Sequence, residues 1–289
     1  MFTFSNRVKR VIQYATLAVP TGRDVINPFD LFVGGLLEGT SVLGELYLRG
    51  RFRIAELQVC ANQYGLQDTK VPCSISPTKP SISASLMEVL HLADDLRKKY
   101  RQCMINEGHL YSAILDLCDI ASLLKTSSSN ITEDDIRQIV CEPRDMVVAL
   151  ENFPLPTCAE ISEVIIRRAD KGDEASLCLF VQQTFSSRWL DAVHNGFTYV
   201  VPPIFLAMRQ DEIIGFGCYD VVRFKKGTFG PMGVLPNCRE SGLGKSLLHH
   251  CLFDMKRCGY AYAIIDEAGP IEFYERACGA VVIPKPTER

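Results

Sequence analysis

The stretch RESGLGKS, Arg239 to Ser246, sets two glycines, a lysine and a serine ahead of the apolar run LLHHCLFDM. Glycines that let backbone approach a ligand, followed by a helix, make a turn suited to phosphate. Two common versions of such a turn fail on spacing. A P-loop reads G-x-x-x-x-G-K-[ST], and Arg239 stands where its first glycine belongs. A dinucleotide fingerprint begun at Gly242 and Gly244 meets Leu247 in place of its third glycine. What remains is a glycine-rich turn entering a helix from about Gly242 to Arg257, with Gly259 as its C-terminal cap. Unpaired N–H groups and the positive end of that helix favour an anion. Arg239 and Lys245 add to this and Glu240 subtracts from it; the alternative is a solvated strand–helix turn that binds nothing.

Around the turn, strands and helices alternate. EVIIRRA is a β-rich run, and GDEASLCLFVQQTF and SRWLDAVHNG read as helices, the first capped by Asp170 or Asp173. IFLAMRQ and IIGFGCYDVVRF read as a hairpin around Asp211-Glu212. GTFGPMGVLP is a glycine-interrupted strand, YAYAIID a further strand, PIEFYERA a helix and AVVIP a last strand. This order predicts an α/β domain with a mixed sheet.

Upstream the pattern changes. ENFPLPTCAEISE, with Pro154 and Pro156, breaks helical periodicity and reads as a linker over 151–163. Residues 1–150 read as a nearly all-helical domain, and 164–289 as the α/β domain. VKRVIQYATLAV and SLMEVLHLADDLRKKY carry apolar residues at three- and four-residue spacing. A faint repeat runs through this half at an offset of 79: Ile26-Asn27 with Ile105-Asn106, Leu31 with Leu110, Phe32 with Tyr111, Gly34 with Ala113, Leu36 with Leu115.

Composition limits the functions open to the chain. Its 289 residues are 47% hydrophobic and carry a formal net charge of −3. Neither half is basic, with 16 cations against 17 acids in residues 1–150 and 15 against 17 after, so nucleic acid is not an expected partner. No apolar run reaches the roughly 18 residues of a membrane span, and no membrane partner is expected. The N-terminus reads as mature protein rather than a signal peptide. Twelve cysteines are scattered without a C-x-x-C pair, which signals no zinc site and suggests reduced thiols in a cytoplasmic protein.

The segment VLPNCRESGLGKSLL resembles motif A of the GNAT N-acetyltransferase superfamily, V-x-P-x-x-[RQ]-x-x-G-x-[GA], through Val234, Pro236, Arg239, Gly242 and Gly244. PIEFYERACGAVVI resembles that superfamily's FYxxxGF segment, with Phe273, Tyr274 and Gly279 as counterparts. The likeness covers about residues 163–284 and implies an acetyl-CoA-dependent N-acetyltransferase acting on a primary amine by direct attack. It implies a coenzyme site of Met232, Gly233, Val234, Arg239, Glu240, Ser241, Gly242, Leu243, Gly244, Lys245, Ser246 and Phe273. A splayed fourth strand, GTFGPMGV, would offer backbone to the pantetheine arm, and an N–H near Val234 would stabilise the oxyanion. Tyr274 would be the acid. The fourth strand has no carboxylate, so Asp266 is taken as base, with Glu267 and Asp220 behind it. Trp189, Phe185, Phe197 and Tyr199 fall at the acceptor wall, or pack in the core. His249 and His250 are adjacent on a helix and cannot face one site, and neither they nor His194 has a recognisable metal partner. The usual seventh strand is short or missing, to be completed by a neighbouring subunit.

Residues 3–145 resemble the Clp N-terminal double-repeat domain, with PFDLFVGGLLEG and EGHLYSAILD as the two copies. His109 keeps that family's histidine, and Asp30 replaces it in copy one. The resemblance implies an all-α module that binds a protein partner. A scaffold or dimerisation unit is the alternative, and a homodimer the assembly it suggests. The fold expected is thus a two-domain α+β chain, a helical double repeat followed by a mixed-sheet acyl-CoA N-acyltransferase fold. Its competing function is a non-catalytic acyl-CoA sensor or adaptor.

Overall fold

The computed structural model describes residues 2–66, 68–71, 81–127, 129–156, 163–185, 187–239 and 242–285. The chain divides into two compact units, Met1–Pro143 with Pro284–Arg289, and Arg144–Ile283.

The first unit holds α1 (Asn6–Ala18), α2 (Pro28–Glu38), α3 (Ser41–Gly50), α4 (Ile54–Gly65), α5 (Ala84–Lys99), α6 (Glu107–Leu117), α7 (Ile120–Thr126) and α8 (Glu133–Ile136). Helix is not all of it. β1 (Val25–Ile26), β2 (Lys70–Val71) and β3 (Ser81–Ser83) form a small sheet in the order β1-β3-β2.

The repeat is real at the level of hydrogen bonds. Asn27 caps α2 and Asp30 returns a bond to the Asn27 N–H; 79 residues on, Asn106 caps α6 and His109 Nδ1 accepts from the Asn106 N–H at 3.2 Å. Asp30 and His109 thus do one job with different chemistry. Arg23 holds the Asp30 carboxylate through contacts of 2.5 and 2.8 Å. Burial first, and the charge of Arg97 second, push the His109 imidazole down to about 4, so it stays neutral and can accept. The two copies meet where the Tyr111 hydroxyl donates to the carbonyl of Phe32, its counterpart in the first copy, at 3.0 Å.

The second unit is a seven-stranded sheet of β4 (Arg144–Ala149), β5 (Val164–Arg168), β6 (Ile204–Arg209), β7 (Glu212–Tyr219), β8 (Thr228–Val234), β9 (Tyr262–Ala268) and β10 (Val281–Val282). Their order is β10-β4-β9-β8-β7-β6-β5. Only β8 and β9 pair parallel. The hairpin between β6 and β7 turns on Gln210 and Asp211, both at positive φ, one residue earlier than the sequence suggests.

Helices α9 (Glu174–Thr184) and α10 (Leu190–Thr198) cover one face, where Leu177, Val181, Val193, Phe197, Leu206 and Phe216 share a core. Helix α11 (Leu243–Arg257) covers the other with Leu247, Leu248, Cys251, Leu252 and Met255 buried. That one-sided apolar stripe is what fixes a helix to a sheet, each such side chain stabilising by roughly 1.5–3 kcal/mol. Helix α12 (Ile271–Cys278) follows β9. Asp170 caps the short turn Lys171–Asp173 ahead of α9, while Asp173 is taken by Arg167.

Two sequence expectations change here. The helical domain does not run to residue 150, because Arg144–Ala149 is a strand of the second unit's sheet. Its inward residues Arg144, Met146 and Val148 alternate with outward Asp145, Val147 and Ala149, a period of two that is short and stands next to helical sequence. The seventh strand is not missing either. β4 lies between β9 and β10, pairing Val147 with both Ile264 and Val281, so the same chain supplies it from the N-terminal side of the domain. The first part of the expected linker is fixed on this unit. Leu150 N donates to Ala261 O at 2.8 Å and Lys256 Nζ to Phe153 O at 3.0 Å. Residues 157–162 lie outside those described.

Candidate active site

Strand β8 is paired differently along its length. Toward β9 the ladder comprises only Thr228 with Ile264 and Phe229 with Ile265, although both strands continue past that point. Toward β7 it continues through Met232, Gly233 and Val234, opposite Gly217, Phe216 and Gly215. Leu235 N donates to Ile214 O at 2.9 Å, which makes that pair a hydrogen-bonded one. Antiparallel pairs alternate, so Gly233 turns its N–H and C=O to β7 while Met232 and Val234 turn theirs to the edge that β9 has left. The expected splay is present, and with it two backbone sites facing a gap.

Gly233 has another task. A Cβ there would lie 2.5 Å from the Phe185 ring, so the glycine admits that ring against the strand. Its backbone bonds β7 and its missing side chain serves Phe185. Phe185 lies tilted against Trp189 (centroids 5.3 Å) and meets Phe216 edge-on (6.0 Å). Both are half-buried, whereas Phe197 is a core residue and Tyr199 donates to Asp220 O at 2.9 Å.

At the end of β8 the chain turns into α11. Gly242 is the N-cap in the left-handed region (φ 83°), with no side-chain capping bond. The bond from Ser246 N–H to Gly242 O opens the helical ladder, and among the described residues no acceptor is bonded to the N–H groups of Leu243, Gly244 and Lys245. Leu243 and Ser246 are buried, and Lys245 is exposed. Arg239 Nε donates to Val234 O at 3.2 Å, tying the turn to the strand end. Phe273 is the nearest neighbour of a Cβ placed on Gly244, at an ordinary 3.6 Å. Glu240 and Ser241 lie outside the described residues.

Tyr274, on α12, is buried against Phe229, the last β8 residue paired to β9 (centroids 6.3 Å), and against Phe273 (5.0 Å). Burial pushes its phenol above the ordinary range, so it is neutral and carries a proton at physiological pH.

The carboxylates separate. Asp266 is half-buried within β9, one residue beyond its last pairing with β8. Glu267 is exposed, at φ 49°, and its N–H donates to Asp145 Oδ1 at 3.0 Å. Asp145 was not foreseen, because β4 was not read as a strand. Asp220 is buried and occupied, accepting from Gly227 N (2.7 Å) and the Tyr260 hydroxyl (2.6 Å), which anchors the turn before β8 and leaves it no role as base.

The histidines disperse as expected. His249 Nε2 donates to Ala277 O at 2.7 Å, His250 sits 2.8 Å from Ser246 O, and His194 lies beside Glu174. Among the described residues no group of three metal-ligating side chains assembles, and ten cysteines are free.

Comparison with known proteins bears on this geometry. No curated protein matches the chain by sequence. Among solved structures it is similar to the GCN5-related N-acetyltransferase from Sphaerobacter thermophilus (24% identity, TM-score 0.40, 49% of each chain covered). It is also similar to the glucosamine N-acetyltransferase region of a fungal multi-domain β-N-acetylglucosaminidase (16%, TM-score 0.42, 49% of this chain and 20% of that one). A third is the N-terminal domain of the chaperone ClpD from Arabidopsis thaliana (16%, TM-score 0.37, 47% of this chain and 94% of that one). The chain thus spans between a fifth and a half of the two acetyltransferase chains. The acetyltransferase (GNAT) family model matches residues 173–280, which hold the turn, the splayed strands and Tyr274. Residues 173–280 of this chain are a domain of the acetyltransferase (GNAT) family.

Proposed function

We propose that the second unit takes acetyl-CoA as acetyl donor and transfers the acetyl group to a primary amine by direct attack. One observation carries this reading. The unpaired edge of Met232 and Val234, the open N-terminus of α11 and the neutral phenol of Tyr274 all belong to the place where β8 and β9 part.

Each part has a separate task. The N–H groups of Leu243, Gly244 and Lys245 suit a pyrophosphate, with the helix dipole behind them. The backbone groups of Met232 suit an amide-bearing arm laid along the strand, as an added strand would lie, while the Val234 carbonyl is held by Arg239. When bound, the coenzyme supplies an acyl thioester. The Val234 N–H, fixed by the ladder to β7, is the donor for negative charge developing on its carbonyl oxygen. Asp266 takes a proton from the acceptor's ammonium group, which frees the amine lone pair for attack, and the phenol of Tyr274 donates its proton to the departing sulfur. A phenol kept neutral by burial is ready to donate without first being charged.

The test is release of free thiol from acetyl-CoA by the full chain, over a panel of small amines, amino sugars and peptides bearing lysine or a free N-terminus. Amine-dependent release, much reduced in Tyr274→Phe, supports the reading. Tight coenzyme binding with no release on any amine would instead favour the sensor or adaptor role.

A further inference from the structure

At the end of β8 away from Val234, two exposed segments lie side by side. Lys226 Nζ stands 2.9 Å from the Tyr199 hydroxyl and 4.5 Å from the ring centroid, and the Tyr199 hydroxyl reaches Asp220 O. This joins the turn after β7 to the turn after α10. The first turn carries Arg223, Phe224, Lys225 and Lys226, all exposed; the second carries Val200 and Val201. Val200 is 94% exposed, Val201 60% and Phe224 53%. Arg223 and Phe224 both adopt left-handed backbone (φ 49° and 53°), which non-glycine residues seldom do in succession. The chain therefore accepts backbone strain and holds an aromatic ring in solvent between cations.

We propose that this tip is a peripheral docking surface for an anionic lipid bilayer. Its chemistry has the two parts that such a surface needs, apolar side chains to enter the headgroup region and cations to meet lipid phosphates and carboxylates. The cations are available. Among the described residues no carboxylate lies within ion-pair distance of Arg223 or Lys225, and Lys226 has only the distant Asp220 oxygen at 3.8 Å. The cluster stands out in a chain whose net charge is −3. Exposure favours a membrane over a folded partner. Val200, exposed to 94%, is left almost uncovered by its own chain, as a side chain that enters a headgroup layer must be. Among the described residues no single helix is long and apolar enough to cross a membrane, so binding here is surface attachment. The expectation of no membrane partner rested on the lack of a span, which a docking tip does not require. The tip is at the far end of β8 from the coenzyme turn, so docking leaves that turn open.

The experiment is sedimentation of the full chain with vesicles of phosphatidylcholine alone and with about a third phosphatidylserine, at low and high salt. The expected result is partition to the anionic vesicles only, weakened by salt. Each lysine or arginine lost should cost about fivefold in partition, so Arg223→Glu with Lys225→Glu should lower it at least about 25-fold. Phe224→Ser should weaken binding severalfold and keep its salt dependence. Coenzyme A binding and melting of each variant should equal those of the unaltered chain, because these side chains are exposed. If the double variant loses stability, Lys225→Glu alone still decides the matter by its fivefold effect. Equal binding to both vesicles, no binding at low salt, or full binding by the charge variants overturns the proposal. Capture by soluble polyglutamate without partition to vesicles would assign the tip to an acidic polypeptide and overturn the lipid assignment.

Discussion

Helix α6 and helix α11 begin in opposite ways. At α6 the chain closes on itself: Asn106 takes the His109 N–H, and His109 takes the Asn106 N–H. At α11 a left-handed glycine starts the helix with no side-chain cap, beside a strand edge that pairs on one side only. A helix start closed by a reciprocal capping box has its acceptors supplied by folding. One that faces the strand edge left by β9 has donors that a ligand can use, which is the ground of the proposed coenzyme site. The same contrast holds within the first unit at α2, where Asn27, Asp30 and Arg23 close the start completely.

The heaviest test of the comparison concerns where the second unit begins. With β4 between β9 and β10, a fragment of residues 144–289 should be soluble and unfold cooperatively. A fragment starting at 150 leaves β9 and β10 without the strand that joins them and should aggregate or melt without cooperativity. Equal melting of the two fragments by circular dichroism would show that β4 is dispensable.

Next in size is the chemistry at the open end. Tyr274→Phe should lower turnover about 100-fold or more, the scale of a general acid, while coenzyme A affinity changes little. A parallel loss of affinity would mean that the hydroxyl holds the ligand rather than moving a proton.

The closed start should respond to acid. The His109 value is about 4 in the fold against 6.5 ordinarily, so the unfolded chain takes up the proton first as pH falls. Stability from the neutral imidazole is present above about 6.5 and is lost toward 4. Between pH 7 and 5 the unaltered chain should lose on the order of 1–2 kcal/mol more than His109→Gln, which keeps an acceptor at that position. Denaturant melts at both pH values measure this; parallel losses would remove His109 from the account. Smaller still, Asn106→Ala should cost about 1 kcal/mol in the first unit and leave coenzyme binding untouched.

Much of this was legible in the sequence, and the failures have physical causes. The turn Arg239–Ser246, the α11 span and the strand GTFGPMGV announced themselves because glycines, a proline and an apolar stripe are local signals. The 79-residue echo was legible because Asn27 and Asn106 cap equivalent helices. β4 was missed because its six residues follow directly on helix and lie remote in sequence from β9 and β10, with which they pair. The packing of Phe185 on Gly233 was not legible, because only the fold brings the two together. Asp266 carried no local mark. Its standing comes from where β8 and β9 stop pairing, which is a property of the sheet.

The most direct test is calorimetric titration of coenzyme A into the unaltered chain, Gly244→Val and Lys245→Ala, with ATP as control. A Cβ on Gly244 meets Phe273 and Val234 only at ordinary contact distances, 3.6 and 3.8 Å, so the valine variant should fold, and its unliganded melt checks this. Coenzyme A should bind and ATP should not. The valine variant should lose most of that binding, because a side chain at the second residue of α11 obstructs the backbone donors. Lys245→Ala should lose on the order of 1 kcal/mol or less, since its charge is exposed and screened. Loss of binding in Lys245→Ala with retention in Gly244→Val would contradict backbone capture at the start of α11, and binding of ATP in place of coenzyme A would contradict the assignment of the site.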